Sequence, residues 1–182
     1  CTPAWVTEQD CLNAFETDTG IAPEKVGTLS LTPDFVDVTA EWSIAKDEDK
    51  TAAFYRLYIS PGDLTAESLK DMNYKEVNGV GHRLGETLKY TFNDLQDNKT
   101  YSIAVVAVDR WGNLSAPVIR QCTTKLNHAP ETSGFPEGVI EVGEDERKSF
   151  CFNVSDPDGH GWDIKTAGET TGVSYTLNRS TV

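Results

Sequence analysis

The sequence predicts an all-β protein: a two-layer β-sandwich of about 100 residues, a second and partial sandwich after it, and a short helix in front. Three observations carry this. Val36, Val38, Ala40 and Trp42 alternate with Asp37, Thr39 and Glu41, the two-residue period of a strand with one wet face. Phe54, Tyr55, Arg56, Leu57, Tyr58 and Ile59 form a run that is strand-like by residue type. Tyr101, Ile103, Val105 and Ala107 alternate again, ahead of a Gly112-Asn113 turn.

Taken in order, residues 1–23 read as helical. Thr7 is an N-cap followed by acidic Glu8 and Asp10, and Cys11, Leu12, Ala14 and Phe15 supply a short apolar face. Gly20 stops this helix and Pro23 prevents its resumption. So short a piece needs a surface to pack on. Residues 24–125 hold the main sandwich. After the strand around Trp42 comes a polar loop, Ala45 to Lys50. Pro61-Gly62-Asp63 ends the Phe54–Ile59 strand, and residues 63–72 form a helical turn or an irregular crossover. Further strands are expected at Thr87–Phe92, Tyr101–Asp109 and Val118–Thr123. In residues 126–182, Asn127-His128-Ala129-Pro130 reads as a linker. Strands are expected at Gly138–Gly143 and Ser149–Val154, with Phe150, Phe152 and Val154 facing inward, and Asp156-Pro157-Asp158-Gly159 closes the second of them. Fewer residues follow the linker than a sandwich usually needs, which leaves an open sheet edge that invites pairing.

The segment 24–125 resembles a fibronectin type III module. Trp42 stands where that family keeps its core tryptophan, Tyr55, Leu57 and Ile59 resemble its third strand, and Leu95 with Tyr101 resembles the tyrosine corner. Asp109, Gly112, Asn113, Ser115 and Pro117 look like the last turn of many bacterial members. Residues 126–182 resemble bacterial Ig-like or cadherin-like repeats, through the Asn127–Pro130 linker and the Asp156–Gly159 ending. Leu12-Asn13-Ala14, a short helix, Gly20 and Ile21-Ala22-Pro23 look like the exit from the catalytic domain of bacterial subtilisin-like proteases. Nothing matches that family's catalytic segments, so no catalytic residue carries over.

Composition narrows the function. The net charge of −13 over 182 residues argues against nucleic acid or an anionic membrane, since both need a basic footprint. No apolar run is long enough to span a bilayer, and the opening Cys1-Thr2-Pro3 lacks the basic region of a signal peptide. A mature secreted protein and an excised fragment would both begin this way. Gly-x-Ser-x-Gly, phosphate-loop and His-Glu-x-x-His motifs are absent, and His82, His128 and His160 lie in separate loops. No catalytic residue and no cofactor is therefore expected.

The four cysteines, Cys1, Cys11, Cys122 and Cys151, form no Cys-x-x-Cys pair and no histidine lies at zinc-ligand spacing. Their even number in a strand-rich acidic chain favours disulfides and an oxidising compartment. Three pairings are possible. The preferred one joins Cys122 to Cys151, because Cys151 points outward between Phe150 and Phe152, and clips Cys1 to Cys11. The alternatives are that Cys151 packs as a small apolar group, or that all four are buried free thiols. The acidic stretch Asp156 to Asp163 raises calcium, but its glycine comes too early and the closing glutamate of an EF-hand loop is missing, so a structural turn and no metal is expected. Asn98, Asn113, Asn153 and Asn178 each open a glycosylation triplet that matters only in a eukaryotic secretory path; the resemblances point to a bacterial source.

One docking surface follows from strand phase. With Tyr55, Leu57, Tyr101, Ile103 and Val105 inward, Tyr58, Val106 and Val108 face outward on neighbouring strands, with Trp111 beside them. Such a patch would engage a neighbouring domain; the alternative is ordinary cross-strand pairing under long polar side chains. The leading expectation is a non-catalytic accessory region of a secreted or cell-surface protein, a spacer and docking unit, with a subtilisin-like protease as parent. Its partners would be neighbouring domains of the same polypeptide. A second reading is a carbohydrate- or protein-binding adhesin, with Trp111 and Trp162 stacking on ligand rings. A third makes Cys1 the lipidated residue of a surface lipoprotein.

Overall fold

The structure, a computed structural model, describes residues 20–48, 50–138, 140–143 and 145–163. The chain is all-β, as expected, and divides into two compact units, Cys1–Leu126 and Asn127–Val182. The helix expected before Gly20, and with it Cys1 and Cys11, lies outside the described residues, as does Asn178.

The first unit is a sandwich of two antiparallel sheets. Strands β1 (Leu29–Pro33), β2 (Val38–Ser43) and β7 (Thr87–Phe92) form one, in the order β1-β2-β7. Strands β5 (Phe54–Ser60), β6 (Lys75–Asn78), β8 (Thr100–Val108) and β9 (Val118–Thr123) form the other, in the order β6-β5-β8-β9. A small hairpin, β3 (Lys46–Asp47) with β4 (Lys50–Thr51), sits in the connection between the sheets. The strands expected at Thr87–Phe92 and Val118–Thr123 have those bounds, and the strand around Trp42 begins at Val38, leaving Val36 half-exposed. Strand β6 escapes sequence reading because Lys75-Glu76-Val77-Asn78 has a single apolar residue; it is an edge strand paired along β5.

The inner faces meet around Trp42 and Tyr55, both with no exposed surface, whose rings lie 5.6 Å apart. Leu29, Val38, Ala40 and Phe92 come from one sheet, and Leu57, Ile103, Val105 and Ala107 from the other. Alternation puts them there: Val38, Ala40 and Trp42 on β2, Tyr55 and Leu57 on β5, and Ile103, Val105 and Ala107 on β8 lie two positions apart. Burying a side chain of this size contributes about 1.5–3 kcal/mol. The Tyr55 hydroxyl accepts the Ala45 N–H at 2.8 Å, so the one polar atom it takes into the core is satisfied, while burial pushes its phenol up from its ordinary pKa. Gly79 closes this corner. A Cβ there would stand 2.7 Å from the Ala52 carbonyl oxygen and 2.8 Å from the Tyr55 ring, so no larger residue fits without backbone movement.

The second unit differs from expectation. Its described strands are β10 (Glu131–Ser133) and β11 (Asn153–Ser155), an antiparallel pair. Among the described residues no strand runs through 138–143, and the expected strand from Ser149 begins only at Asn153. Phe150 is half-exposed where an inward position was expected, and Phe152 and Val154 are partly buried. The aromatic rings contact one another: Phe135 lies 5.9 Å from Phe150 and 4.7 Å from Phe152. A two-residue period announces a strand only where a partner exists to accept its hydrogen bonds. Here the described pairing extends over three residues.

Candidate functional site

The expected docking patch on β5 and β8 is corrected by burial. Tyr58, Val106 and Val108 do leave the main core by strand phase, but they are only 3–4 % exposed. The chain covers Tyr58 and Val106 itself. After β5 it runs from Pro61 through a 3-10 turn (Ser68–Asp71) to β6, and drops Leu64 and Leu69 onto Tyr58, Ala104 and Val106. Met72 and Ile119 close the sides of this second, smaller core. The strap is held by Thr65 and Ser68, which exchange hydrogen bonds between side chain and backbone at 2.9–3.2 Å. Arg56 and Tyr74 seal its far edge: the guanidinium carbon sits 4.4 Å from the Tyr74 ring centroid, and Tyr74 lies 5.8 Å from Tyr58. Burial pushes the Tyr58 phenol up. Leu64 and Leu69 give the signal that sequence reading missed, two isolated leucines inside an otherwise polar crossover.

Trp111 is the member of the expected patch that remains accessible, at 49 %. It sits on the β8–β9 turn, which Asp109 organises. Asp109 Oδ1 accepts the N–H of Trp111 and of Asn113, both at 2.8 Å, and Oδ2 accepts the Asn113 side-chain amide at 2.7 Å. Gly112 takes φ +96° to close the turn, a conformation that favours glycine. Burial alone would raise the Asp109 pKa, but these donors outweigh it and hold the carboxyl below its ordinary value. Ser115 completes the turn, donating its N–H to the Ala107 carbonyl and accepting the Ala107 N–H, each at 2.9 Å.

Both chain ends of the sandwich are bolted into it. Strand β1 begins where β2 finishes (Leu29 opposite Trp42), at the end from which the connection to β5 departs. There Glu24 N–H donates to the Lys46 carbonyl at 2.8 Å, Ser43 Oγ accepts the N–H of Gly27 and Thr28, and Val26 is buried. Strand β9 finishes opposite the start of β8 (Thr123 opposite Thr100), at the other end. There Thr124, 2 % exposed, donates its hydroxyl to Gln96 at 2.7 Å and exchanges backbone and side-chain bonds with Lys99. Lys125 follows, with its N–H on the Asp34 carbonyl at 3.0 Å and its ammonium on the Asp34 carboxylate at 3.1 Å. Neither Ser43 nor Thr124 stands in a motif, and sequence reading passed over both.

Cys122 and Cys151 are both free thiols here. Opposite Tyr101 in the β8–β9 pair, the Cys122 side chain packs against the main core, and burial pushes the thiol up. Cys151 is exposed.

In the second unit a compact turn brings histidines to carboxylates. Asp156 Oδ1 accepts the N–H of Asp158 at 2.9 Å and of His160 at 3.1 Å. Asp158 accepts the His128 N–H at 2.6 Å, and its oxygens lie 3.1 and 3.3 Å from His128 Nδ1. The His128 backbone donor and imidazole hold the Asp158 carboxyl below its ordinary range. In the first unit, His82 lies 3.1 Å from Glu86. Among the described residues no helix is long and apolar enough to cross a membrane.

No protein-family model and no curated protein matches the chain. Among solved structures, FN3tt is 22 % identical over 58 % of this chain and 97 % of its own, with a TM-score of 0.39. The fn3 domain of human collagen alpha-1(XX) chain is 20 % identical over 64 % of this chain and 96 % of its own, with a TM-score of 0.41. The Clostridium perfringens spore cortex lytic enzyme SleM is 15 % identical over 57 % of this chain and 29 % of its own, with a TM-score of 0.42. The sandwich itself is established by the strand order and registers above, independently of these likenesses.

Proposed function

We propose that residues 20–126 are a non-catalytic spacer in a larger secreted or cell-surface protein, with a subtilisin-like protease as the parent favoured by the sequence. One observation carries this reading: the chain joins and leaves the sandwich at opposite ends, and both junctions are hydrogen-bonded into it. A module built this way sets the distance and direction between whatever flanks it. The nine-residue β8 fixes that distance at about 30 Å, from the rise per residue of a strand. The covered outer face supports the same reading, because Tyr58 and Val106, two of the side chains that would have formed a docking patch, are occupied by the chain's own strap. The test replaces residues 20–126, within the natural full-length polypeptide, by an unrelated sandwich of equal span. Flanking activities should survive this exchange and fall when a flexible Gly-Ser segment is inserted instead. Loss of activity with both replacements would mean that the module recognises something itself.

A second reading, an adhesin, rests on Trp111, which is half-exposed on a turn made rigid by Asp109. An aromatic ring held in this way is suited to stacking on a sugar or an apolar side chain. A glycan-array signal abolished by Trp111→Ala would favour this reading over the spacer.

A further inference from the structure

We propose that Asp156, Asp158 and His160, with His128 alongside, form a binding site for a transition-metal dication of the zinc and cobalt class. One donor atom from each of the first three lies within 4.8 Å of the others. Donors around a tetrahedral ion at 2.0–2.2 Å stand roughly 3.5 Å apart, so closure needs shifts of about an ångström on a turn that is already formed. The turn presents these side chains together because Asp156 Oδ1 fixes the backbone of residues 158 and 160, with Gly159 at φ +76° between them. His128, 30 residues away in sequence, arrives with Nδ1 3.1 Å from Asp158.

Two imidazoles beside two carboxylates distinguish this cluster from an acidic surface patch. Calcium and magnesium take oxygen donors, whereas imidazole selects zinc and its neighbours. Sequence spacing could not show the arrangement, since His128 and the Asp156–His160 turn meet only in the folded chain. The unit also has a use for a bound ion. None of its described apolar residues is fully buried, and Phe135 and Phe150 stay about half-exposed. Small units with thin cores are commonly stapled by a metal or by disulfides. This inference is independent of the spacer reading.

The experiment titrates the untagged full chain with Co2+ and follows its absorption and the thermal unfolding of the protein. Saturable visible bands at one equivalent are expected, without the intense near-ultraviolet band of cobalt–thiolate ligation, together with a raised unfolding temperature and displacement by Zn2+. His160→Gln leaves the Asp156 turn bonds in place and should weaken binding at least about tenfold; His128→Gln should weaken it by a similar factor. Asp156→Asn tests the carboxylate, with circular dichroism checking that the fold is retained. The proposal is overturned by the absence of a saturable signal, by a thiolate band, by unchanged affinity in His160→Gln, or by displacement of Co2+ by equimolar Ca2+.

Discussion

Tyr101 Oη accepts the backbone N–H of Gln96 at 3.0 Å, which ties the approach to β8 back onto the strand it feeds. One residue earlier, the Leu95 N–H donates to the Val36 carbonyl at 2.8 Å and the Leu95 side chain packs on the core. A single phenol thus fixes the crossing between the two sheets, in the tyrosine-corner manner that Leu95 and Tyr101 announced. Tyr101→Phe keeps the ring buried and orphans the Gln96 donor. It should lower stability by about 1–2 kcal/mol with an unchanged denaturant m-value. A midpoint equal to that of the wild type would show that the bond contributes nothing.

The strap over β5 and β8 makes Val106 a core position. Val106→Lys places an ammonium among Tyr58, Leu64 and Leu69, and should destabilise the sandwich by 3 kcal/mol or more on the order of an unpaired buried charge. Leu69→Ala empties the same pocket from the other side and should cost about 2–3 kcal/mol. Chemical denaturation of both variants checks this. A Val106→Lys protein as stable as wild type would return that face to solvent and reopen it as a docking surface.

The Asp109 turn gives the protein a defined acid response. Its folded pKa is below its ordinary value, so the stabilisation is fully present above about pH 4, the unfolded value. It is lost as pH falls through the lower folded value, because the unfolded chain takes up the proton first. Asp109→Asn removes the charge and should cost about 1–3 kcal/mol at neutral pH. The gap between variant and wild type should close towards pH 2. Parallel stability curves over that range would dissociate the carboxylate from the acid response.

The legible parts of the fold were those where local pattern and tertiary role coincide. Trp42, Tyr55, Ile103 and Val105 alternate in sequence and are buried in fact, because a two-residue period converts directly into a face. The same period sent Tyr58 and Val106 outward correctly but left out what would cover them. That depended on Leu64 and Leu69, whose partners lie on other strands and leave no local periodicity. Thr124 and Ser43 were unreadable for a related reason: a threonine or serine that caps a junction has the same letter as one facing water. In the second unit, Phe150 and Phe152 kept a strand's alternation without a strand's partner.

The two described thiols should behave as different chemical species. Burial against the core raises the Cys122 pKa, so little thiolate forms at neutral pH and access is restricted as well, while Cys151 is exposed. Alkylation by iodoacetamide at pH 8, read by mass spectrometry on the two peptides, should modify Cys151 at least about tenfold faster. Adding denaturant should erase the difference. Cys122→Val, which keeps the side chain small and apolar, should leave stability within about 1 kcal/mol, whereas Cys122→Asp should unfold the β8–β9 pair by placing a carboxylate against the core. If both cysteines instead resist alkylation without prior reduction, they are bonded after all, and Cys122 must turn away from the core to reach its partner.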